Sequence, residues 1–318
     1  MLQKKLVSII LPTYNGSRFL RDSIESIINQ TYKHWELIIV NDCSTDNTLE
    51  IAKEYEGKDS RIRVISNDTN KKLPVSLNEG FHNANGDYYT WTSDDNIFKI
   101  NAIEYMSHYL DTHPDIDLIS CDFDFTDEDL TFVRTMKETC GNRKREQKQL
   151  AMFCQVGACF MYTKAIAEKV GDYDTSFFCA EDYDYWCRIA KMGKIAYEDV
   201  NLYTYRINSN SLTATRLNEV ISKTQEVRQR HSNDILEKLN IDNRTKCKIF
   251  LDCYKDDKNK NWLLLAKNSD PIYYFLRRLK RCLTKIGESL FSVKNENDQK
   301  IIRCFGIKIL TLHKKNKK

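Results

Sequence analysis

Several signatures of common protein classes are missing from this 318-residue chain. No apolar run comes near the roughly 20 residues of a membrane-spanning helix. Neither a G-x-G-x-x-G turn nor a G-x-x-x-x-G-K-S/T loop occurs, which excludes the usual glycine-rich cradles for dinucleotides and nucleotide triphosphates. The eleven cysteines include no C-x-x-C pair, which argues against a zinc site. An odd number of cysteines without a signal peptide favours reduced thiols in a cytoplasmic protein.

Charge and the amino terminus point to no special partner. The net charge of +4 is small beside 49 basic and 45 acidic residues, so nucleic acid is not expected as a ligand. The start, MLQKKLVSIILP, imitates a signal peptide, but its apolar run at 6–11 is short and ends at Pro12 without a small-residue cleavage site. We interpret this run as a buried first strand. The length suits one large α/β domain with an appendage, or two ordinary domains.

Strand-like and helix-like segments alternate through the first hundred residues. Strands are predicted at 6–11, 36–40, 62–66 and 88–92. Apolar residues recur at helical spacing over 17–30, from Asp46 with Thr45 as N-cap, and through 75–84. This order predicts a mainly parallel, Rossmann-like α/β sheet with helices on both faces.

The ends of three predicted strands are polar. The first strand runs into PTYNG (12–16), the second into NDCSTD (41–46) and the fourth into SDDN (93–96). Ligands bind at the carboxyl ends of strands in such sheets, so Asn15, Asp42, Asp94 and Asp95 are expected along one rim. Any one of these clusters could be an ordinary polar loop, but the convergence of all three favours a site.

The adjacent carboxylates Asp94 and Asp95 repel each other unless a positive charge lies beside them. Mg²⁺ and Mn²⁺ take oxygen ligands and commonly bridge one or two carboxylates to substrate phosphates. We therefore expect a divalent cation at SDDN.

The second half of the chain alternates less regularly. A helix is predicted around 100–112, strands at 117–125 and 157–163, and a helix over 180–194. Residues 137–149 are very polar, which is typical of a loop or insertion, and 217–266 have helical periodicity.

The stretch from Val7 to Thr48 resembles the opening of the family 2 glycosyltransferases. Further elements follow in that family's order: P-x-Y-N at 12–15, a strand ending at Asp42, S-T-D-x-T at 44–48, N-x-G at 78–80, S-D-D at 93–95 and E-D at 181–182. Each element is weak alone, but this order and spacing are specific. The resemblance, over about residues 6–215, implies a GT-A fold and an enzyme that uses a nucleotide-diphosphate sugar.

The resemblance also implies residue roles and a cofactor, Mn²⁺ or Mg²⁺. By position, Pro12, Tyr14 and Asn15 would line the nucleobase pocket, and Asp42 would accept a hydrogen bond from the base, usually uracil. Asp94 would contact the ribose or the metal, and Asp95 would be a metal ligand. Glu181 and Asp182 match the family's E-D pair, which supplies the general base, here Asp182.

The residue types alone leave the E-D pair open. Acidic residues favour the first turn of a helix through the helix dipole, and this explanation needs no catalysis. The same dipole should keep Asp182 ionised and able to accept a proton. Asp184 is the second choice as base. Trp186, one turn after Asp182, is expected to stack on an acceptor sugar.

Arg206, in YTYRINSNSLT (203–213), matches the family segment that closes over the diphosphate. We expect it to contact phosphate, and an exposed loop arginine is the alternative.

Three residues depart from the family pattern. Thr92 replaces the first Asp of D-x-D-D, and Leu77 replaces the Arg of A-R-N, a cation that Lys71 or Lys72 could supply instead. Asn208 replaces a histidine that often follows the arginine, which puts a third metal ligand in doubt.

The tail carries a separate signal at 271–291. Its apolar residues form one helical stripe and its basic residues lie mostly away from it. The pattern fits a basic amphipathic helix on an anionic membrane surface, and equally a helix packed on protein. A lipid-linked acceptor would make membrane binding useful.

These observations predict one GT-A domain, with a donor half at 1–100 and an acceptor half at 101–216, followed by a helical, basic extension at 217–318. The predicted function is metal-dependent, inverting sugar transfer from a UDP-sugar to a glycan or lipid-linked acceptor. We expect it to serve surface polysaccharide or lipopolysaccharide synthesis at the cytoplasmic face of the plasma membrane.

Two other functions stay open. A catalytically silent nucleotide-sugar binder or scaffold would bind donor without turnover. A nucleotidyltransferase would need a glycine-rich loop and a lysine after the first strand, and PTYNG has neither.

Overall fold

The computed structural model describes residues 4–139, 145–277, 291–296, 299–304 and 307–313. The chain forms two compact units, Met1–Asn240 and Ile241–Lys318. The strands described in the first unit are β1 Val7–Thr13, β2 Trp35–Asn41, β3 Ile62–Ser66, β4 Tyr88–Trp91, β5 Ile97–Phe98, β6 Leu118–Thr126, β7 Phe132–Thr135, β8 Phe160–Thr163 and β9 Ile195–Arg206. Its α-helices are α1 Leu20–Ile28, α2 Thr48–Lys58, α3 Leu73–His82, α4 Ala102–Thr112, α5 Met136–Thr139, α6 Lys164–Val170, α7 Glu181–Met192, α8 Leu212–Thr215 and α9 Leu217–Lys238.

One sheet runs through the first unit in the order β3-β2-β1-β4-β8-β6-β9-β5, and β7 pairs with β6. Strands β3, β2, β1 and β4 are parallel, as the alternating pattern predicts. The rest of the sheet is mixed, because β8 is antiparallel to both β4 and β6 whereas β9 is parallel to β6. The architecture is the predicted α/β class.

Hydrophobic strands at the centre explain where the core lies. Every residue of β1 is buried, as expected for a strand covered on both faces. Val7, Ile9 and Leu11 pack with Leu20 and Ile24 of α1 in one large cluster.

The opposite face of β1 receives α3. An added Cβ at Gly80 of α3 would lie 2.4 Å from Ile10 Cγ2, so this helix approaches the strand closely. Helices therefore cover both faces of the sheet, as predicted.

The predicted N-cap of the second helix is wrong. α2 begins at Thr48 with Asn47 as its N-cap, and Thr45 lies before it. Asp46, which precedes the N-cap, accepts hydrogen bonds through its carboxylate from Thr48 N at 3.0 Å and from Ser17 N at 3.2 Å. It thereby ties the loop after β2 to the loop after β1.

The unit boundary at 240/241 differs from the predicted boundary at 216/217. α9 belongs to the first unit because it packs on α7. His231 of α9 shares a hydrogen bond of 2.7 Å with Asp184 of α7, and both side chains are buried.

The second unit contains helices α10 Asn243–Asp257 and α11 Asn261–Ser269, and residues 271–277 are also helical. Phe250 and Trp262 stack with ring centroids 5.9 Å apart in its core. Strands β10 Phe291–Glu296, β11 Gln299–Cys304 and β12 Ile307–His313 form an antiparallel sheet. The extension is therefore not purely helical.

The predicted amphipathic segment 271–291 is described only in part. Its first seven residues are helical and expose Ile272, Phe275 and Leu276. Residues 278–290 lie outside the described residues, and Phe291 begins a strand.

Within the described ranges, no helix combines the length and the apolar character needed to cross a membrane. The cysteines whose surroundings the structure describes are free thiols, as predicted.

Candidate active site

One cavity of about 790 Å³ opens at the carboxyl ends of β1, β2 and β4. It brings together residues from widely separated parts of the chain. Of the predicted site residues, those that line it are Pro12, Tyr14, Asn15, Asp42, Asp94, Asp95, Glu181 and Asp182. Arg206 and Trp186 do not line it.

Asp42 directly follows β2 and is buried, with 4% of its surface exposed. Its Oδ1 accepts hydrogen bonds from Asn67 Nδ2 at 2.9 Å and Lys71 N at 2.8 Å, and its Oδ2 accepts one from Lys72 N at 2.8 Å. The carboxylate therefore orders the loop before α3. An ionised carboxylate has about four acceptor positions, so one on Oδ2 is left for a ligand.

Asn15 has a left-handed backbone conformation (φ 55°), and its side chain hydrogen bonds to the loop after β2. Its Oδ1 accepts a hydrogen bond from Thr45 N at 2.8 Å, and its own N–H donates to Ser44 Oγ at 3.0 Å. Tyr14 beside it is half exposed in the cavity. Asn15 thus shapes the pocket that Tyr14 and Pro12 line.

Asp94 is held against the loop after β1. Thr13 Oγ1 donates a hydrogen bond to Asp94 Oδ2 at 2.5 Å. A Cβ added to Gly16 would lie 2.0 Å from the same oxygen, so only glycine leaves room for this carboxylate. Burial, and then the charge of Asp95, raise the pKa of Asp94 to about 7.

Asp95 is the second carboxylate of the pair. Asn208 Nδ2 lies 3.4 Å from Asp95 Oδ2. The residue that replaces the histidine of the family pattern therefore lies close to Asp95. Burial raises the pKa of Asp95, and the positive charge of Arg206 opposes this shift.

The predicted phosphate contact from Arg206 is wrong for this structure. The side chain is only 2% exposed. Its Nη2 pairs with Asp22 Oδ2 at 2.8 Å, and its guanidinium lies over the Phe19 ring at 4.1 Å. Arg206 ends β9 with its side chain buried, and its positive charge favours the ionised form of Asp95.

The carboxylate pair and its surroundings fit a divalent cation. Asp94 and Asp95 supply oxygen ligands on the cavity wall, where burial raises the pKa of both carboxyl groups. No group of three or more His, Cys, Asp or Glu side chains is assembled among the described residues. Two carboxylates suffice for Mg²⁺ or Mn²⁺ when water and substrate phosphates complete the coordination.

The other departures from the family pattern have structural explanations. Thr92 is buried, and its hydroxyl hydrogen bonds to that of Tyr203 at 2.6 Å. Leu77 lies in the core. Lys71 pairs with Glu79, which leaves Lys72 as the neighbouring cation that lines the cavity.

Glu181 and Asp182 begin α7 and face the cavity. The helix dipole favours the ionised form of Asp182, as expected, but burial acts in the opposite direction and raises its pKa. Burial and the charge of Asp182 raise the pKa of Glu181 to about 8. Loss of water around these carboxylates outweighs the backbone dipoles, so the pair holds a proton more tightly than free carboxyls.

Asp184, the second choice as base, is fully buried and not in the cavity. Its carboxylate accepts from Arg188 Nε at 2.8 Å and contacts His231 Nε2 at 2.7 Å. These contacts fix α7 against α9, so Asp184 supports the helix that carries Asp182.

The expectation that Trp186 stacks on a sugar is also wrong. The indole is fully buried and packs on Phe160 with ring centroids 4.5 Å apart. One helical turn separates it from Asp182, but α7 lies with this face on the sheet, which no sugar can reach.

The structure adds cavity residues that motif analysis missed. They include Thr13, Phe123, Phe125, Cys154, Tyr203, Tyr205 and Thr213. The alternation of aromatic residues in CDFDF and YTY could have indicated Phe123, Phe125, Tyr203 and Tyr205, because alternate residues of a strand share one face.

Two solved structures share this fold. S. aureus TarS 1–349 in complex with UDP-GlcNAc has a TM-score of 0.52 and 15% identity, over 94% of this chain and 96% of that one. The mannosyltransferase PcManGT from Pyrobaculum calidifontis, in complex with GDP-Man and Mn²⁺, has a TM-score of 0.57 and 16% identity, over 92% and 82%. At these identities the likeness concerns the fold alone.

Sequence comparisons give the family. An uncharacterized glycosyltransferase of Rickettsia typhi is 30% identical over 224 residues, 68% of each chain. TuaG of Bacillus subtilis, whose name assigns it to teichuronic acid biosynthesis, is 36% identical over 123 residues, 39% of this chain and 46% of TuaG. The model of glycosyl transferase family 2 matches residues 8–171. The chain therefore belongs to glycosyltransferase family 2 and is a glycosyltransferase.

Proposed function

We propose that this glycosyltransferase is metal-dependent and inverting, and that it transfers a sugar from a UDP-sugar to a hydroxyl group of a surface glycan. One observation carries the proposal: a single cavity collects the carboxylates Asp42, Asp94, Asp95 and Asp182 from two strand ends and one helix start. The name of TuaG supports a cell-surface polysaccharide as the product class. We place the reaction on the cytoplasmic side of the membrane, where nucleotide sugars are available.

The hydrogen bonds of Asp42 favour uracil as the base. With Oδ1 occupied twice and Oδ2 once, one acceptor position remains. Uracil and thymine present one N–H, N3–H, whereas guanine presents N1–H and the 2-amino group together and needs both carboxylate oxygens. The fold by itself does not decide this, since its solved examples hold either UDP-GlcNAc or GDP-Man.

We expect UDP to bind at least about tenfold more tightly than GDP, which corresponds to one hydrogen bond to a charged group. Calorimetric titration with UDP, dTDP and GDP in the presence of Mn²⁺ measures this difference. Asp42→Asn should weaken UDP binding, whereas Asp68→Asn, which changes an exposed carboxylate of the loop between β3 and α3, should not. Tighter binding of GDP than of UDP would overturn the assignment of the base.

The carboxylates have separate roles in the proposed reaction. Asp182 accepts the proton of the acceptor hydroxyl, whose oxygen attacks the anomeric carbon of the donor sugar. The bond from that carbon to the β-phosphate oxygen breaks, and the nucleoside diphosphate leaves with the electron pair. A single displacement inverts the anomeric configuration. Asp94 and Asp95 would hold the metal ion, which when bound neutralises charge on the leaving diphosphate.

A substitution at Gly16 tests the role of Asp94, whose carboxylate lies against this glycine. Gly16→Ala places a methyl group 2.0 Å from Asp94 Oδ2 and 2.6 Å from Thr13 Oγ1, so the carboxylate must leave its position. A lost contact to a charged group costs about 1.5–3 kcal/mol, so we expect UDP and Mn²⁺ to bind about tenfold more weakly or worse.

Gly57→Ala is the matched control for this substitution. Gly57 lies in α2, and nothing is within 4 Å of its added Cβ. It should leave ligand binding unchanged and, as a glycine in a helix, stabilise the protein slightly. Equal affinities in the two variants would show that Asp94 does not contribute to the ligand site.

Release of free nucleoside diphosphate tests the reaction itself. Purified protein is incubated with UDP-, GDP- and dTDP-sugars and Mn²⁺, Mg²⁺ or EDTA, with and without crude lipid-linked glycan acceptors. We expect release from a UDP-sugar that requires metal and accelerates with acceptor. Donor binding without release under any of these conditions would support a silent nucleotide-sugar binder instead.

A further inference from the structure

Four aromatic side chains form one continuous face where β6 meets β9. Phe123 lies opposite Tyr203 and Phe125 opposite Tyr205 in the register of these parallel strands. All four line the cavity, and we call them the aromatic platform. The ring centroids of Phe125 and Tyr205 are 5.4 Å apart, and those of Phe123 and Phe125 are 5.2 Å apart.

The platform is a built surface with a fixed inner layer and an accessible outer layer. Phe123 and Tyr203 are 3% and 1% exposed, whereas Phe125 and Tyr205 are half-buried and meet the cavity. Gly157 faces the inner layer without a side chain, since an added Cβ would lie 2.6 Å from the Phe123 ring. The rings therefore have little freedom to move, and the outer pair presents a preorganised apolar wall.

The platform lies away from the nucleoside end of the cavity. In the sheet, β1 and β6 are separated by β4 and β8, that is, by three strand spacings. At about 4.8 Å each, these spacings put roughly 14 Å between the strands. Asp42 and the loop after β1 hold one end of the cavity, so the platform at the other end is available to a different part of the reacting pair.

Tyr205 lines the same cavity as Asp95 and Asp182. Burial, and then the charge of Asp95, raise the pKa of its phenol. Its hydroxyl also interacts with that of Thr213, another cavity residue. A ring that packs on Tyr205 would lie in the same cavity as the carboxyl group of Asp182.

The lining of the cavity combines two chemistries. It contains the aromatic platform and the carboxyl groups of Glu181 and Asp182. A ligand that satisfies both must have an apolar face and a polar edge. A pyranose ring has this character, since its C–H groups form an apolar face and its hydroxyls project from the edge. An acyl chain would leave the buried carboxylates without partners, at a cost in free energy.

We propose that Phe125 and Tyr205 form the acceptor subsite, and that a pyranose ring of the acceptor packs on them with one hydroxyl directed at Asp182. This inference rests on the proposed sugar-transfer function and adds to it the residues that select the acceptor. It replaces the buried Trp186 as the aromatic partner of the acceptor.

Saturation-transfer NMR tests the subsite without knowledge of the natural acceptor. The probes are the methyl pyranosides of glucose, galactose and N-acetylglucosamine, added to the protein with UDP and Mn²⁺. We expect saturation of the ring C–H protons of at least one probe. Phe125→Leu and Tyr205→Leu should each weaken its binding about 2- to 12-fold, the loss that corresponds to one aromatic contact.

Two further variants identify the contact. Tyr205→Phe keeps the ring and should retain most of the affinity, so a loss as large as that of Tyr205→Leu would overturn stacking in favour of the hydroxyl. Phe132→Leu changes an exposed aromatic residue of β7 outside the cavity and should change nothing. Thermal melting of every variant shows whether it is folded.

The outcomes separate the subsite from the function. Saturation of none of the probes, or equal binding by the wild type and both leucine variants, overturns the aromatic subsite even if UDP is released from a donor. Absence of donor turnover in the wild type counts against the proposed function, whereas probe binding that depends on Phe125 and Tyr205 would still establish the subsite.

Discussion

Asp182→Asn is expected to lower the rate of sugar transfer by about 10²–10⁴-fold, the usual contribution of a positioned general base. Asparagine keeps the shape of the side chain but cannot accept the proton of the acceptor hydroxyl. Asp182 faces the cavity at the start of α7, away from the loops that hold the nucleoside, so UDP should still bind. Initial rates at saturating donor, with UDP affinity from calorimetry, measure both effects.

The pH profile gives an independent test of the same residue. Burial raises the pKa of Asp182, and the pKa of Glu181 is raised to about 8, so the two carboxyl groups should titrate as a coupled pair. The base works only when it is deprotonated. Transfer should therefore rise with pH over a range well above the usual value of about 4 for a carboxyl group.

Asp172→Asn is the matched control for Asp182→Asn. Its carboxylate lies nearby in the sequence, is 60% exposed and pairs with His82 on the surface. It should transfer sugar at the wild-type rate. If Asp182→Asn retains wild-type activity and the same pH profile, another group must serve as the base.

Asp95→Asn should lower transfer by about 100-fold or more. Removal of a residue that only hydrogen bonds to a metal ligand typically lowers metal affinity or activity 10- to 100-fold. Removal of a direct ligand should lower them further. Asparagine keeps one oxygen but loses the negative charge that a divalent cation requires. EDTA should abolish activity in the wild type, and added Mn²⁺ or Mg²⁺ should restore it.

Metal binding can be measured without turnover. Electron paramagnetic resonance of Mn²⁺ in the presence of UDP should show bound metal in the wild type and much weaker binding in Asp95→Asn. Asp115→Asn, which changes a carboxylate that is 64% exposed and pairs with Lys194, should bind as the wild type does. Activity that survives both EDTA and Asp95→Asn would contradict a metal at this carboxylate pair.

Most of the first hundred residues could be predicted from local pattern. β3 has the predicted bounds, and β1, β2 and β4 differ from theirs by one or two residues. Short apolar runs interrupted by helical periodicity specify such strands because each must be buried on both faces. The long strand β9 was missed at Ile195–Arg206, since only part of it is buried and its apolar residues do not alternate cleanly.

Arg206 and Trp186 show why side-chain roles were harder to predict than positions. Each lies beside a site residue in the sequence, yet each is buried inside the protein. Asp22 and Phe19, which lie on a distant part of the chain, hold Arg206, and Phe160 of β8 holds Trp186. Their partners become neighbours only when the sheet and helices have packed.

The sequence alone therefore determined the α/β class, the family and the rim carboxylates Asp42, Asp94 and Asp95, because these depend on periodicity and on the order of short motifs. Only the tertiary structure decided which side chains reach the cavity. It buried Arg206 and Trp186, raised the pKa of the carboxyl groups and placed Phe125 beside Tyr205. Burial, electrostatic environment and cross-strand register are properties of contacts between distant segments, and no local stretch of sequence specifies them.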